Sequence, residues 1–253
     1  MNATPEALPF VAPCRRLPVA APLGWVRKGW QDFRRAPRQS LTYGLVIAAL
    51  SWGVTGIALK MGSYWAVLVL LSGFVFVAPV LALALYSISR QLERGLEPAL
   101  GRCLVEQRRS LGTVMVFALA LLIVFLVWAR AGSMVHVFFP VEGHPDWRQL
   151  ATFLAIGSAV GSIFALLTFA FSAFSLPMIC DRDADAITAV VTSVNAVLRN
   201  KRAMAVWVGL IVLLTAIGFA TALIGLAVTI PVLGHATWHG YREAIDAGAW
   251  PAN

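Results

Sequence analysis

The sequence predicts an all-α, polytopic membrane protein: a bundle of about six transmembrane helices with three amphipathic segments on the cytoplasmic side. Three observations predict it. Of 253 residues, 59% are hydrophobic and only 13% carry a charge, against roughly 25% charged in an ordinary soluble domain. A soluble protein of this size would need far more polar surface to cover its core. The uncharged runs are long enough to cross a bilayer, and the basic residues gather at one side of them.

The first 22 residues hold Pro5, Pro9, Pro13, Pro18 and Pro22, which reads as a disordered cytoplasmic tail and not as a signal peptide. A membrane domain over residues 23–245 and a second cytoplasmic tail over 246–253 follow. A hydrocarbon core of about 30 Å needs roughly 20 apolar residues in a helix. Residues 39–59 are uncharged, placing a first span at Ser40–Leu59. The uncharged stretches Met61–Ser89, Ser110–Ala129 and Gln149–Cys180 supply three more. Ala203–Tyr241 is 39 residues without a charge, about 58 Å as a single helix. Two short spans joined by a turn fit better, at Ala203–Phe219 and Leu223–Tyr241, with Gly218 and Gly225 bracketing the turn.

With six spans and the N-terminus inside, 17 of the 20 Lys and Arg residues face the cytoplasm, and only Lys60, Arg130 and Arg148 face out. That bias is the positive-inside pattern of an inner-membrane protein. It also accounts for the net charge of +8 without a nucleic-acid partner. Trp65, Trp128 and Trp147 fall at outer ends of spans, and Trp25, Trp30, Trp207 and Trp238 at inner ones, where amphipathic rings favour the headgroup zone. Cys14, Cys103 and Cys180 all fall on the cytoplasmic side, where thiols stay reduced.

Each odd span follows a basic amphipathic segment. The first is Gly24–Arg38. The second is Leu96–Arg109, with Pro98 in a first helical turn and Leu96, Leu100, Cys103 and Leu104 on one face. In the third, Ile187, Val190, Val191, Val194, Val197 and Leu198 share a face opposite Thr188, Thr192, Asn195 and Arg199. Each even span contains one proline, Pro79, Pro177 or Pro231, which frees a carbonyl and kinks the helix. Amphipathic segment, span and kinked span thus read as a unit repeated three times.

Every acidic and basic residue lies outside the proposed spans, so no mid-membrane ionisable group offers itself to a proton or ion pathway. His235 and His239, in GHATWHGYRE, stand four apart and project from one helical face. Two structural imidazoles at the inner interface fit that spacing, as do two ligands of a metal or haem with Tyr241 and Glu243 nearby, or a pH sensor. No HExxH or CxxC accompanies them, so no metal or cofactor is assigned. In Asp181-Arg182-Asp183-Ala184-Asp185, Asp183 or Asp185 suits an N-cap, and Arg182 suits a carboxylate or a lipid phosphate. Gly157 and Gly161 form a small-residue face for close helix packing. Trp238 and Tyr241 complete the candidates for a structural interface.

The stretches GWQDF, SLPMICDRDADAITAVVTSVNAVLRN and IPVLGHATWHGYRE resemble a bacterial family of predicted integral membrane proteins known only as a domain of unknown function, over about residues 22–245. Some of its members are labelled putative cytochrome c oxidase subunits, so the resemblance implies at most a respiratory association. The chain lacks the buried histidines of a haem–copper core. The expectation is a non-enzymatic accessory or scaffold protein, in contact with membrane lipids and a respiratory complex or other membrane protein. A small-solute or lipid transporter and a metal- or haem-handling protein using His235 and His239 are the alternatives.

Reporter fusions after Ala247 should be active only with a cytoplasmic reporter. A periplasm-active fusion there would replace six spans with five.

Overall fold

The computed structural model describes residues 9–60, 80–138 and 146–253. Pro79 and the outer part of the second expected span lie outside them. The described residues form helices α1 (Ala21–Arg35), α2 (Pro37–Lys60), α3 (Leu83–Glu93), α4 (Leu100–Phe138), α5 (Trp147–Ser172), α6 (Ser175–Asp181), α7 (Ala186–Arg199), α8 (Lys201–Ala220) and α9 (Leu226–Ala244). Among the described residues, four stretches are long and apolar enough to cross a membrane: Pro37–Ile57, Arg108–Met134, Trp147–Asp181 and Lys201–Ala220. Their mid-sections expose large apolar side chains such as Leu50, Met115, Ile123, Ile163 and Val212, a surface suited to lipid and not to water.

Local chemistry explains the boundaries. α1 carries Trp25, Gly29, Asp32 and Phe33 on its buried stripe, with Arg27, Lys28, Arg34 and Arg35 outside. It stops at Ala36 because Pro37 disfavours helical angles in the residue before it, and Pro37 then opens α2. At the end of α3, Gly95 takes φ +71°. Its N–H donates to the Leu92 carbonyl and that of Leu96 to the Gln91 carbonyl, a Schellman closure that needs glycine at this position. Gln91 then accepts a hydrogen bond from the Ala99 N–H at 3.0 Å, setting the start of α4.

Two expectations change here. The second amphipathic segment is not a separate element: α4 runs unbroken for 39 residues, because nothing between Leu100 and Gly112 interrupts a helix. Pro98 precedes α4, Cys103 is buried, and Leu96 and Leu100 are exposed. The proline-rich start is also not a free tail over residues 9–20. Ala12 and Cys14 are buried, and the Ala12 N–H donates to Thr192 Oγ1 at 3.1 Å. The Leu17 N–H donates to Asn200 Oδ1 at 2.8 Å. Proline restricts this segment to extended backbone, and α7 supplies the side-chain partners that extended backbone requires.

Residues 246–253 are likewise packed. The Asp246 N–H donates to the Pro13 carbonyl, that of Asp183 to the Pro251 carbonyl and that of Asn253 to the Asp181 carbonyl. Trp250 is buried. Residues 9–20 and 246–253 therefore meet at one end of the bundle.

The fourth span breaks at Ala173–Phe174, four residues before Pro177. Ser193 of α7 inserts into the opened rung. Its hydroxyl accepts from the Phe174 N–H at 3.1 Å and donates to the Ala170 carbonyl at 2.8 Å. α7 packs inward through Thr188, Ala189, Thr192, Ser193 and Ala196, keeps Val190 and Val197 half-buried against the core, and exposes Ile187 (64%) and Leu198 (57%). The exposed Ile187 and Leu198 are apolar side chains of the kind a lipid surface stabilises. Asp185 caps this helix, accepting from the Ile187 and Thr188 N–H groups at 2.9 Å each. Partial burial pushes its carboxyl up, but these bonds outweigh it and leave it below the usual carboxylate range. The cap is therefore complete above the ordinary Asp range, near ~3.9, and is lost as pH falls through the lowered value.

The last uncharged run divides at residues 221–225. Ala222 and Leu223, not the flanking glycines, take the left-handed angles, with φ +50° and +68°. The Thr221 hydroxyl accepts from the Gly225 N–H at 2.9 Å and holds the turn. α9 returns from it into the middle of the bundle, where it packs against α1, α2, α3, α6 and α8. Glycines make this possible. A Cβ on Gly29 would stand 2.6 Å from the Val232 carbonyl oxygen, and one on Gly234 2.5 Å from Leu85 Cδ1. A Cβ on Gly240 would meet Trp25 Cε3 at 2.9 Å, and one on Gly44 would overlap the Ala227 carbonyl. That carbonyl is the one Pro231 deprives of its helical N–H partner.

Gly29→Val should therefore lower stability by about 1–3 kcal/mol through overpacking. Gly157→Ala should be neutral or slightly stabilising, since a Cβ there meets nothing within 4 Å. Thermal unfolding of both variants in one detergent tests the contrast, and equal melting temperatures would refute it.

Candidate functional site

The C-terminal half of α9 carries a dense set of polar contacts. Asp32 of α1 and His235 of α9 are buried among apolar neighbours, so each needs full hydrogen-bonding. Ser89 supplies it to both. Its hydroxyl donates to Asp32 Oδ2 at 2.9 Å and lies 2.8 Å from His235 Nδ1. The single hydroxyl proton goes to the carboxylate, so Nδ1 is the donor toward Ser89 and Nε2 is left as an acceptor. The Ser40 hydroxyl, 3.0 Å away, donates to Nε2. His239 Nε2 meets Asp32 Oδ2 at 2.8 Å. His235 and His239 thus reach one carboxylate, the first through Ser89 and the second directly.

A second group adjoins it. Asp181 Oδ2 accepts from the Tyr241 hydroxyl at 2.9 Å and from Arg182 Nε at 3.1 Å, with Arg242 at 3.5 Å. Glu93 accepts from Trp238 Nε1 at 3.0 Å and from Arg242 Nε at 3.1 Å. Trp25 Nε1 donates to Glu243 Oε2 at 3.0 Å, and Arg90 donates to the Cys180 carbonyl. Over nine residues, α9 is tied to α1, α2, α3 and α6.

Of the residues singled out from sequence, Asp181, Arg182 and Tyr241 come together directly. Trp238 joins them through Glu93 and Arg242, and His235 and His239 join Asp32. Asp185 stands apart as the α7 cap. Pro177 lies just after the break at Ala173–Phe174, and Pro231 lies inside α9, which continues through it. Gly161 lies away from this group on α5, where a Cβ would reach only Trp128 Nε1, at 4.0 Å. Asp32, Ser40, Ser89 and Glu93 were not singled out. Asp32 carried a signal: it is the one acidic residue on the apolar stripe of Trp25, Gly29 and Phe33.

The Ser40–His235 pair has the spacing of a nucleophile and its base, but Ser40 is 0% exposed and both imidazole nitrogens are engaged by serines. Among the described residues, no three His, Cys, Asp or Glu side chains converge as metal ligands. The geometry is that of a brace between helices.

Apolar helices of spanning length decide the class of protein, and the comparison with known families agrees. Residues 67–181 match the family described as predicted integral membrane protein (DUF2189). The DUF2189 match begins in the second expected span and ends at Asp181. It is narrower than the resemblance over residues 22–245, and GHATWH lies outside it. No curated protein and no solved structure matches the chain.

The double change His235→Ala/His239→Ala should destabilise the protein by about 1–3 kcal/mol for each buried partner left unsatisfied, with metal content unchanged. Calorimetry and elemental analysis of parent and variant check both. Stoichiometric metal that disappears in the variant would make the pair a ligand set.

Proposed function

We propose that this protein is a non-enzymatic accessory or scaffold protein of the bacterial inner membrane, with both termini in the cytoplasm. Its partner is another membrane protein, and a respiratory complex is the class that the family resemblance implies. One observation carries this reading: the buried ionisable groups around the C-terminal half of α9 are used to hold helices together. Asp32, His235, Asp181 and Tyr241 each bond to a neighbouring helix, and the Ser40 hydroxyl is buried against His235. The ends of the described chain add to it, since residues 9–20 and 246–253 close over the same end.

Complementation of a deletion strain tests the reading. Ser40→Ala should reduce the cellular phenotype only in proportion to the amount of folded protein in the membrane, and the parent should be recovered with a larger assembly after gentle solubilisation. Loss of the phenotype with the amount of folded protein unchanged would point to catalysis by Ser40 and overturn the proposal.

A further inference from the structure

Away from the polar layer, α5, α8 and α9 and the start of α3 enclose a cavity of about 290 Å³, near the lower end of the roughly 300–1,000 Å³ typical of small-molecule sites. Its walls are almost wholly apolar and include Phe169, Trp207 and Leu233. α5 and α8 both line it, and among the described residues they do not pack closely on each other; both belong to stretches of spanning length. Leu166, at the rim on α5, is 58% exposed. Beside helices of spanning length the surrounding medium is hydrocarbon, which favours a lipid chain as the occupant.

A second observation concerns Thr168. It lines the cavity, is 1% exposed, and its hydroxyl has no hydrogen-bond partner among the described residues. A helical threonine ordinarily satisfies itself on the carbonyl a turn earlier, and the neighbouring hydroxyls do so. Ser172 Oγ donates to the Thr168 carbonyl at 2.7 Å, and Thr237 Oγ1 to the Leu233 carbonyl at 2.8 Å. Leaving a buried hydroxyl unbonded is costly, so a single oxygen acceptor inside an otherwise apolar ligand matches this site.

We propose that the cavity holds one acyl chain of a bilayer glycerolipid, taken in between α5 and α8, with an ester carbonyl accepting the Thr168 hydroxyl. The lipid would then be a bound component of the protein, distinct from the annular lipid around α2 and α4.

The test uses the full chain in nanodiscs of phosphatidylethanolamine and phosphatidylglycerol that carry a diazirine on one acyl chain, followed by illumination and peptide mapping. Label is expected on Trp207 and Leu233 in the cavity as well as on Met115 and Ile123 of the outer belt. Ala165→Phe, which fills the cavity, should lower the cavity label at least fivefold and leave the belt label unchanged. Thr168→Val, of the same shape, should at least halve the lipid retained per protein through detergent washing, with the melting temperature of the washed protein matching the parent. Label confined to the belt, or cavity label unaffected by Ala165→Phe, would overturn the proposal. Retention unchanged in Thr168→Val would remove the carbonyl contact from it.

Discussion

The structure depends on one close approach: α9 lies in the middle of the bundle with its backbone nearly touching those of α1 and α2. Gly29 and Gly44 present no side chain to it, and Gly234 and Gly240 present none from it. In a bilayer, lipid tails are as apolar as leucine, so helices gain little by hiding apolar surface from one another. They gain by packing closely and by pairing polar groups. The glycines provide the first of these. They also bring Asp32, Ser40 and Ser89 within hydrogen-bond distance of α9, which provides the second.

The polar layer follows from that proximity. A carboxylate taken out of water costs several kcal/mol unless its lone pairs are engaged, and Asp32 has a serine hydroxyl and an imidazole on one oxygen. His235 is fixed in one tautomer between two serines. Such a network tolerates few alternatives: shifting α9 by one turn would leave a buried carboxylate and an imidazole unpaired. Its effect is to set the register of α9 against α1 and α3. Residues 9–20 and 246–253 extend the same logic at that end, because the backbone of each satisfies groups on α7 and on the Asp181–Asp183 turn.

Much of the fold was legible in the sequence because the bilayer is a demanding solvent. Runs of about 20 uncharged residues must be helices there, so the first, third and fifth spans fall within a few residues of α2, the apolar part of α4, and α8. The turn near Gly218 and Gly225 was also legible, although Ala222 and Leu223 take the strained angles. Less visible were features that depend on which helices are neighbours. Among the described residues, tight glycine contacts are made by Gly29, Gly44, Gly234 and Gly240, which pair across elements with no shared spacing. For the site, His235, His239, Asp181 and Tyr241 were visible as unusual residues at a span end. Ser40 and Ser89 were not, because a serine beside a span looks the same whether it faces lipid, a neighbour or an imidazole. The continuity of α4 was missed for a related reason: amphipathic and apolar segments with no breaker between them form one helix.

The most direct test of the central claim, that α9 is held against α1 through the polar layer, is a double-mutant cycle between Asp32 and His239. Equilibrium unfolding of the parent, Asp32→Ala, His239→Ala and the double variant, all in the same nanodiscs, measures the coupling. Side chains in one hydrogen-bond network couple by about 0.5–3 kcal/mol, so the double variant should be less destabilised than the sum of the single ones. Strict additivity would mean that the two residues do not meet, and the placement of α9 against α1 would be wrong.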